Sequence, residues 1–184
     1  MEVLFATSNQ HKVLEARKIG RLYGIEFRQL KSPYPEIRSD SVADVACEGA
    51  RFVYSKIKKP VIVEDSGLFI NALNGFPGTY SRFVFDRIGF EGILDLMAGK
   101  NDRSAFFGSA VGYCNGKCCR TFEGTVKGTI AKSASGSSGF GYDPVFVPKG
   151  FKKTFAQDSK LKERISHRTR AFELFCNFIK SKKH

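Results

Sequence analysis

The chain has 184 residues, 42% of them hydrophobic, and 30 Lys and Arg against 18 Asp and Glu give a net charge of +12. That length suits one domain or two intimately packed lobes and leaves no room for two independent domains. No apolar run approaches bilayer length and Met1-Glu2-Val3 lacks the basic start of a secretion signal, so a cytoplasmic, non-membrane protein that attracts anions is expected.

Met1 to Ala6 reads as a strand ending in the polar loop Thr7-Ser8-Asn9, after which Val13, Leu14, Ala16, Ile19 and Leu22 recur at helical spacing. Ile25 to Leu30 is a second predicted strand, followed by a loop around Ser32-Pro33-Tyr34-Pro35. Ser41 can cap a helix that carries Val42, Val45, Ala46, Ala50 and Val53 toward Lys56. Pro60-Val61-Ile62-Val63 predicts a buried strand that delivers Glu64 and Asp65 at its carboxyl end.

Glycine and proline punctuate Asn74 to Gly78, and Glu91 to Met97 is a short predicted helix. Ser104 to Cys114 and Arg120 to Lys127 favour extended chain, with Asn115-Gly116 as the turn of an antiparallel hairpin. Ser133 to Gly141 has the composition of a linker, but an aromatic and β-branched strand over Phe140, Tyr142, Pro144, Val145, Phe146 and Val147 follows it directly. Thr169 to Ile179 places Ala171, Phe172, Leu174, Phe175, Phe178 and Ile179 on one helical face. Early alternation of helices and strands with late strand pairing predicts an α/β class with a mixed sheet.

The cysteines, among them Cys114, Cys118 and Cys119, lack the paired spacing of a zinc site and are expected as reduced thiols. Lys180, Lys182 and Lys183 read as a solvated tail. Three histidines, His11, His167 and His184, make a histidine metal cluster improbable.

Four segments carry chemistry, each beside a plainer reading. Thr7-Ser8-Asn9-Gln10-His11-Lys12 offers helix-start amides, short polar side chains and a lysine to a triphosphate, or simply caps a helix through Ser8 or Asn9. Glu36 and the pair Glu64-Asp65 are hard oxygen donors suited to magnesium, or Asp65 closes an Asp-Ser-Gly turn before Ser66 and Gly67. Gly139-Phe140-Gly141-Tyr142-Asp143-Pro144 can stack a base, or mark a sheet bend. Lys162 with Ser166-His167-Arg168 can grip phosphate or a base edge, or begin a capped helix.

Together these segments, with Gly75-Phe76-Pro77-Gly78-Thr79-Tyr80-Ser81, resemble in order and over nearly the whole chain the inosine triphosphatase family, the non-canonical purine nucleoside triphosphate pyrophosphatases. The resemblance implies a single domain over residues 1–184: two intertwined lobes around a long mixed β-sheet with flanking helices, an active-site cleft between the lobes, and usually a homodimer. It implies that Thr7 to Lys12 hold the triphosphate, that Glu36 and Asp65 bind Mg2+, that Asp65 accepts the proton and that Ser66 touches substrate. Phe140, Gly141, Tyr142, Asp143, His167 and Arg168 would enclose the base, and Lys162 would contact the nucleotide. Two positions depart from the family pattern: Ser8 stands where glycine is common and Glu64 where aspartate is frequent, and Glu64 is carried as a further possible metal ligand.

The expected reaction converts inosine, deoxyinosine or xanthosine triphosphate to the monophosphate and pyrophosphate, cleansing the nucleotide pool. A donor to the 6-oxo group is left unpaired against adenine, which costs roughly 1–3 kcal/mol when buried. The rivals are a pyrophosphatase for other modified nucleotides, a septum-inhibitor-like protein, and a non-catalytic basic nucleic-acid-binding module. The carboxylates speak against the last, since a phosphate-tracking groove gains nothing from them, and no stable nucleic-acid partner is expected.

Overall fold

The computed structural model describes residues 1–182, so Lys183 and His184 lie outside the described residues. The class is α/β with a mixed sheet. Its strands are β1 (Glu2–Ala6), β2 (Glu26–Leu30), β3 (Val61–Ile70), β4 (Pro77–Gly78), β5 (Ser104–Cys114), β6 (Cys119–Ile130) and β7 (Phe146–Pro148). Hydrogen-bonded order runs β2-β1-β3-β5-β6-β7, with β4 on β3. β1 is parallel to both β2 and β3, whereas β4 is antiparallel to β3 and β7 to β6.

The chain divides into two compact units. The first comprises Met1–Asp65, Ser109–Gly124 and His167–His184, and the second Ser66–Gly108 and Thr125–Ser166. In the first, helix α1 (Gln10–Tyr23) starts on Asn9 and stops at Gly24, whose φ of 65° suits glycine. Helix α2 (Val42–Ile57) is capped by Ser41, as its sequence suggests. Strand parity divides the core: Val3, Phe5 and Ile62 pack with α1 and the last helix, α5 (His167–Ser181), through Val13, Ala16, Phe172 and Phe175. Ala6, Val61 and Val63 pack with Ala50 and Val53 of α2. Burying apolar side chains on alternate faces covers both sides of a parallel strand.

The second unit has its own core of Leu68, Ile70, Ile93, Met97, Phe107, Val126, Phe146 and Phe155. Ser81 clasps it: its hydroxyl donates to the Gly78 carbonyl and accepts from the Leu68 amide, both at 2.7 Å, so the Gly75–Ser81 segment spends polar atoms on the fold.

Several expectations need correction. β3 does not end at Glu64-Asp65 but runs on to Ile70, because β4 pairs with its second half at Leu68 and Phe69. The short helix Glu91–Met97 is the second half of α3 (Ser81–Leu96), broken at Gly89 by φ 63° and ψ −165°. Its first half, rich in aromatic and β-branched residues, hides the helical period. The strand expected from Phe140 begins only at Phe146, because Gly139 and Gly141 take φ of 81° and 64° and turn the chain. Ser133–Gly141 is no linker: Ser135 and Ser138 amides donate to Pro144 and Ala156 carbonyls. Helix α4 (Ser159–Ile165), with Asp158 as cap, has no counterpart in the sequence reading. Cys114 and Cys119 are not reduced but form a disulfide, since the Asn115–Cys118 turn sets their Cα atoms 4.2 Å apart; Cys47, Cys118 and Cys176 are free thiols.

Candidate active site

Side chains alternate along β3, and this decides where the two adjacent acids go. Ile62 faces α1 and α5, so Glu64, two residues on, faces them too; Val63 faces α2, and Asp65 follows Val63. On the α1 and α5 side, Lys12 Nζ lies 2.9 Å from Glu64 Oε2 and donates to the Glu64 carbonyl at 2.9 Å. Arg168 Nε donates to Glu64 Oε1 at 3.1 Å, and Arg168 Nη1 to Glu15 Oε2 at 2.6 Å. The Ser109 hydroxyl also donates to Glu64 Oε1, at 2.6 Å.

Glu64 is 1% and Arg168 2% exposed, so these charges stand only because each compensates the other. Burial opposes ionisation of Glu64, yet Arg168, then Lys12, and the bonds from Ser109 and Lys12 outweigh it and hold the carboxyl at about 2. For Arg168, burial also opposes the charge, and Glu64 and Glu15 overcome it, raising its pKa.

Backbone shape brings α5 close enough for this. At Gly124 of β6 a Cβ would sit 2.1 Å from the His167 carbonyl oxygen, so only glycine lets the first turn of α5 approach the strand. That turn carries buried His167 and Arg168.

The loop Thr7–Lys12 follows β1. Asn9 Oδ1 accepts from the His11 and Lys12 amides at 2.9 and 3.3 Å, and Thr7 Oγ1 accepts from the Asn9 amide at 3.1 Å. The capping role is therefore real and is filled by Asn9. Ser8, Gln10 and His11 are exposed, and Thr7 is buried.

On the α2 side, the Tyr34 ring packs against Gly49 and Val63. Burial, then the negative charges of Glu36, Asp65 and Glu64 in that order, raise its phenol pKa. Exposed Glu36 and buried Asp65 and Glu64 thus all act on one hydroxyl. Among the described residues no group of three or more His, Cys, Asp or Glu is arranged to hold a metal. Two carboxylates beside water and substrate phosphate nonetheless fit a hard divalent cation, so the donor set of Glu36 and Asp65 suits magnesium.

In the second unit, Asp143 Oδ2 accepts from the Phe140 amide at 2.8 Å and from Lys162 Nζ at 2.7 Å. Lys162 Nζ lies 4.3 Å from the Phe140 ring centre, so α4 and the glycine-flanked turn fix that ring together. At Gly139 a Cβ would meet Asp143 Oδ2 at 2.1 Å, which explains that glycine. Tyr142 is a core residue: its hydroxyl donates to the Ser81 carbonyl at 3.0 Å and its ring meets Phe85 edge-on. Ser66 and Gly141 are partly buried.

Sequence reasoning missed Glu15, Tyr34, Ser109 and Gly124. Glu15 follows Lys12 by three positions and so shares its helix face, the one signal the sequence held. Ser109 and Gly124 sit in apolar and glycine-bearing strands with nothing to mark them.

A model of the Ham1 family matches residues 3–178. A dITP/XTP pyrophosphatase of Methanopyrus kandleri is 51% identical over 183 residues, covering 98% of this chain and 97% of that protein. Another from Thermococcus kodakarensis is 46% identical, covering 98% of each. Among solved structures, the Ham1 protein of Staphylococcus aureus is 30% identical with a TM-score of 0.86, over 99% of this chain and 100% of that one.

Proposed function

Because this chain belongs to the Ham1 family, we propose that it hydrolyses non-canonical purine nucleoside triphosphates, dITP and XTP with ITP, to the monophosphate and pyrophosphate. It is a hydrolase of triphosphate anhydride bonds that serves nucleotide metabolism. The observation that carries the reading is the split of side chains on β3: two cations gather on Glu64, while Asp65 shares the parity of Val63, which packs toward α2. Phosphate needs cations, and water activation needs a carboxylate apart from them.

In this reading Thr7, Ser8, Asn9, Gln10, His11 and Lys12 hold the triphosphate, and Ser66 touches it. Asp65 accepts the proton of the water whose oxygen attacks the α-phosphorus. The bond to the bridging oxygen breaks, and pyrophosphate leaves with the electron pair. Glu36 and Asp65 would hold magnesium, which when bound neutralises phosphate oxygens. Phe140 stacks the base, steadied by Asp143 and Lys162, with Gly141 and Tyr142 shaping that turn and His167 and Arg168 reading the base edge. Stacking accepts any purine, so choice rests on the edge.

The same reading makes the two units lobes of one domain, since β3, β5 and β6 each contribute residues to both. It also makes the protein a cytoplasmic homodimer. No described helix is long and apolar enough to cross a membrane, and Tyr80, Phe83 and Ile88 leave apolar surface exposed. Neither the nucleic-acid-binding alternative nor other modified nucleotides finds support in the relatives, which are named for dITP and XTP.

The test is a panel of triphosphates with and without magnesium, with early products resolved by chromatography. Deoxyinosine monophosphate and pyrophosphate formed together, with ATP and GTP poor substrates, is the expected result. Diphosphate with orthophosphate as first products, or ATP used as readily as ITP, overturns it.

A further inference from the structure

Glu64 occupies a place that the reaction leaves unassigned. Its Oε1 receives both Ser109 and Arg168 and its Oε2 faces Lys12, all within 3.1 Å, in a position that is 1% exposed. Oε1 is hydrogen-bonded by Ser109 and Arg168, and Oε2, which accepts no hydrogen bond among the described residues, faces the Lys12 ammonium. A carboxylate already between two cations of its own chain is a poor seat for a third cation. Lys12 comes from the first turn of α1 and Arg168 from the first turn of α5. Arg168 also reaches α1 through Glu15, and the strand carboxylate of Glu64 is the group that contacts both cations at once.

We propose that Glu64 is a positioning residue and not a metal ligand: it is the shared counter-ion that sets Lys12 and Arg168 at a fixed separation, and through them tunes base choice. The proposal rests on the reading that Lys12 meets phosphate and Arg168 the base edge. Glu64 is longer by one methylene than aspartate, and that length lets one carboxylate reach Ser109, Arg168 and Lys12 together. An anchored guanidinium cannot swing to accommodate an amino group in place of an oxo group, so discrimination depends on the anchor. Removing the Glu64 charge leaves Lys12 able to hold any triphosphate while Arg168 keeps only its Glu15 anchor, so selectivity suffers more than affinity.

The experiment compares the unmodified protein with Glu64→Gln and with Ser109→Ala, both checked for fold by circular dichroism. Four readouts are taken. The ratio of kcat/KM for dITP over dATP is expected to fall about tenfold in Glu64→Gln and a few-fold in Ser109→Ala. The magnesium concentration for half activation, and Mn2+ binding followed by electron paramagnetic resonance without substrate, are expected to stay within about twofold. The Arg168 Nε–H resonance, protected from exchange in the unmodified protein, is expected to broaden in both variants.

A tenfold weaker Mn2+ affinity with the selectivity ratio unchanged makes Glu64 a metal ligand and overturns the proposal. An unchanged ratio with an unchanged Arg168 resonance overturns it equally. Should Glu64→Gln fail to fold, Ser109→Ala decides alone by the same two readouts. If the unmodified protein does not hydrolyse dITP, the functional reading fails by itself, while the Arg168 resonance still tests the anchoring.

Discussion

Glu64 and Asp65 are covalent neighbours whose side chains leave β3 on opposite faces, Glu64 under Lys12 and Arg168 and Asp65 with the parity of Val63, which packs toward α2. A strand side-chain period of two makes this unavoidable for consecutive residues. Glu64 is thereby paired with cations of the fold, which Asp65 on the other face does not share.

Asp65→Asn is expected to preserve the far-ultraviolet circular dichroism spectrum and to lower kcat by at least about a thousandfold, the scale of a lost general base that also holds a metal. Pyrophosphate release at saturating magnesium measures it. Turnover near that of the unmodified protein would remove Asp65 from the mechanism.

Lys12→Ala is expected to raise the KM for dITP roughly tenfold and also to destabilise the fold by about 1–3 kcal/mol, because buried Glu64 loses one of its two cations. Sequence alone suggests a charge aimed at phosphate and not at core packing, whose loss weakens binding more than stability. Urea unfolding beside steady-state kinetics separates the two effects, and a KM change with stability intact would show that Glu64 does not need Lys12.

Arg168→Ala is expected to erode the preference for dITP over dATP and to lower stability more than Lys12→Ala, since it strips both Glu64 and Glu15 of a partner. Arg168→Lys keeps the charge without the fork and should recover stability better than selectivity. Equal recovery of both would leave Arg168 a purely structural residue.

Acid stability carries a definite sign. The folded Glu64 carboxyl ionises at about 2, below its ordinary 4.5. A depressed folded value contributes stability that is fully present above the unfolded value and is lost as pH falls through the folded one. The free energy of urea unfolding should therefore fall between about pH 4.5 and 2, and Glu64→Gln should flatten part of that slope. Matching slopes in the two proteins would trace acid unfolding to other carboxyls.

Thiol titration in denaturant without reductant should count three reactive cysteines, Cys47, Cys118 and Cys176, and all five after reduction. The disulfide closes so short a loop that replacing Cys114 and Cys119 by serine should cost only about 2 kcal/mol by the chain-entropy relation. Five thiols without reductant would contradict the Cys114–Cys119 bond.

Much of the fold, and the residue types of the candidate site, are legible in the sequence. Apolar period marked β1, α1, α2 and α5, the Ser41 cap held, and the polar segments Thr7–Lys12, Glu64-Asp65, Phe140–Asp143 and His167-Arg168 stand out because buried or loop polar groups in ordered patterns need a reason. Local patterns failed where a partner strand or a glycine decided: β3 continues because β4 supplies hydrogen bonds to it, and the Phe140 segment turns because Gly139 and Gly141 have positive φ. The sequence by itself determined which residue types were present and the parity that separates Glu64 from Asp65. Only the tertiary structure decided that Ser109, Glu15 and Arg168 converge with Lys12 on and around Glu64, because residues up to 153 positions apart meet through helix packing, for which no local spacing encodes a distance.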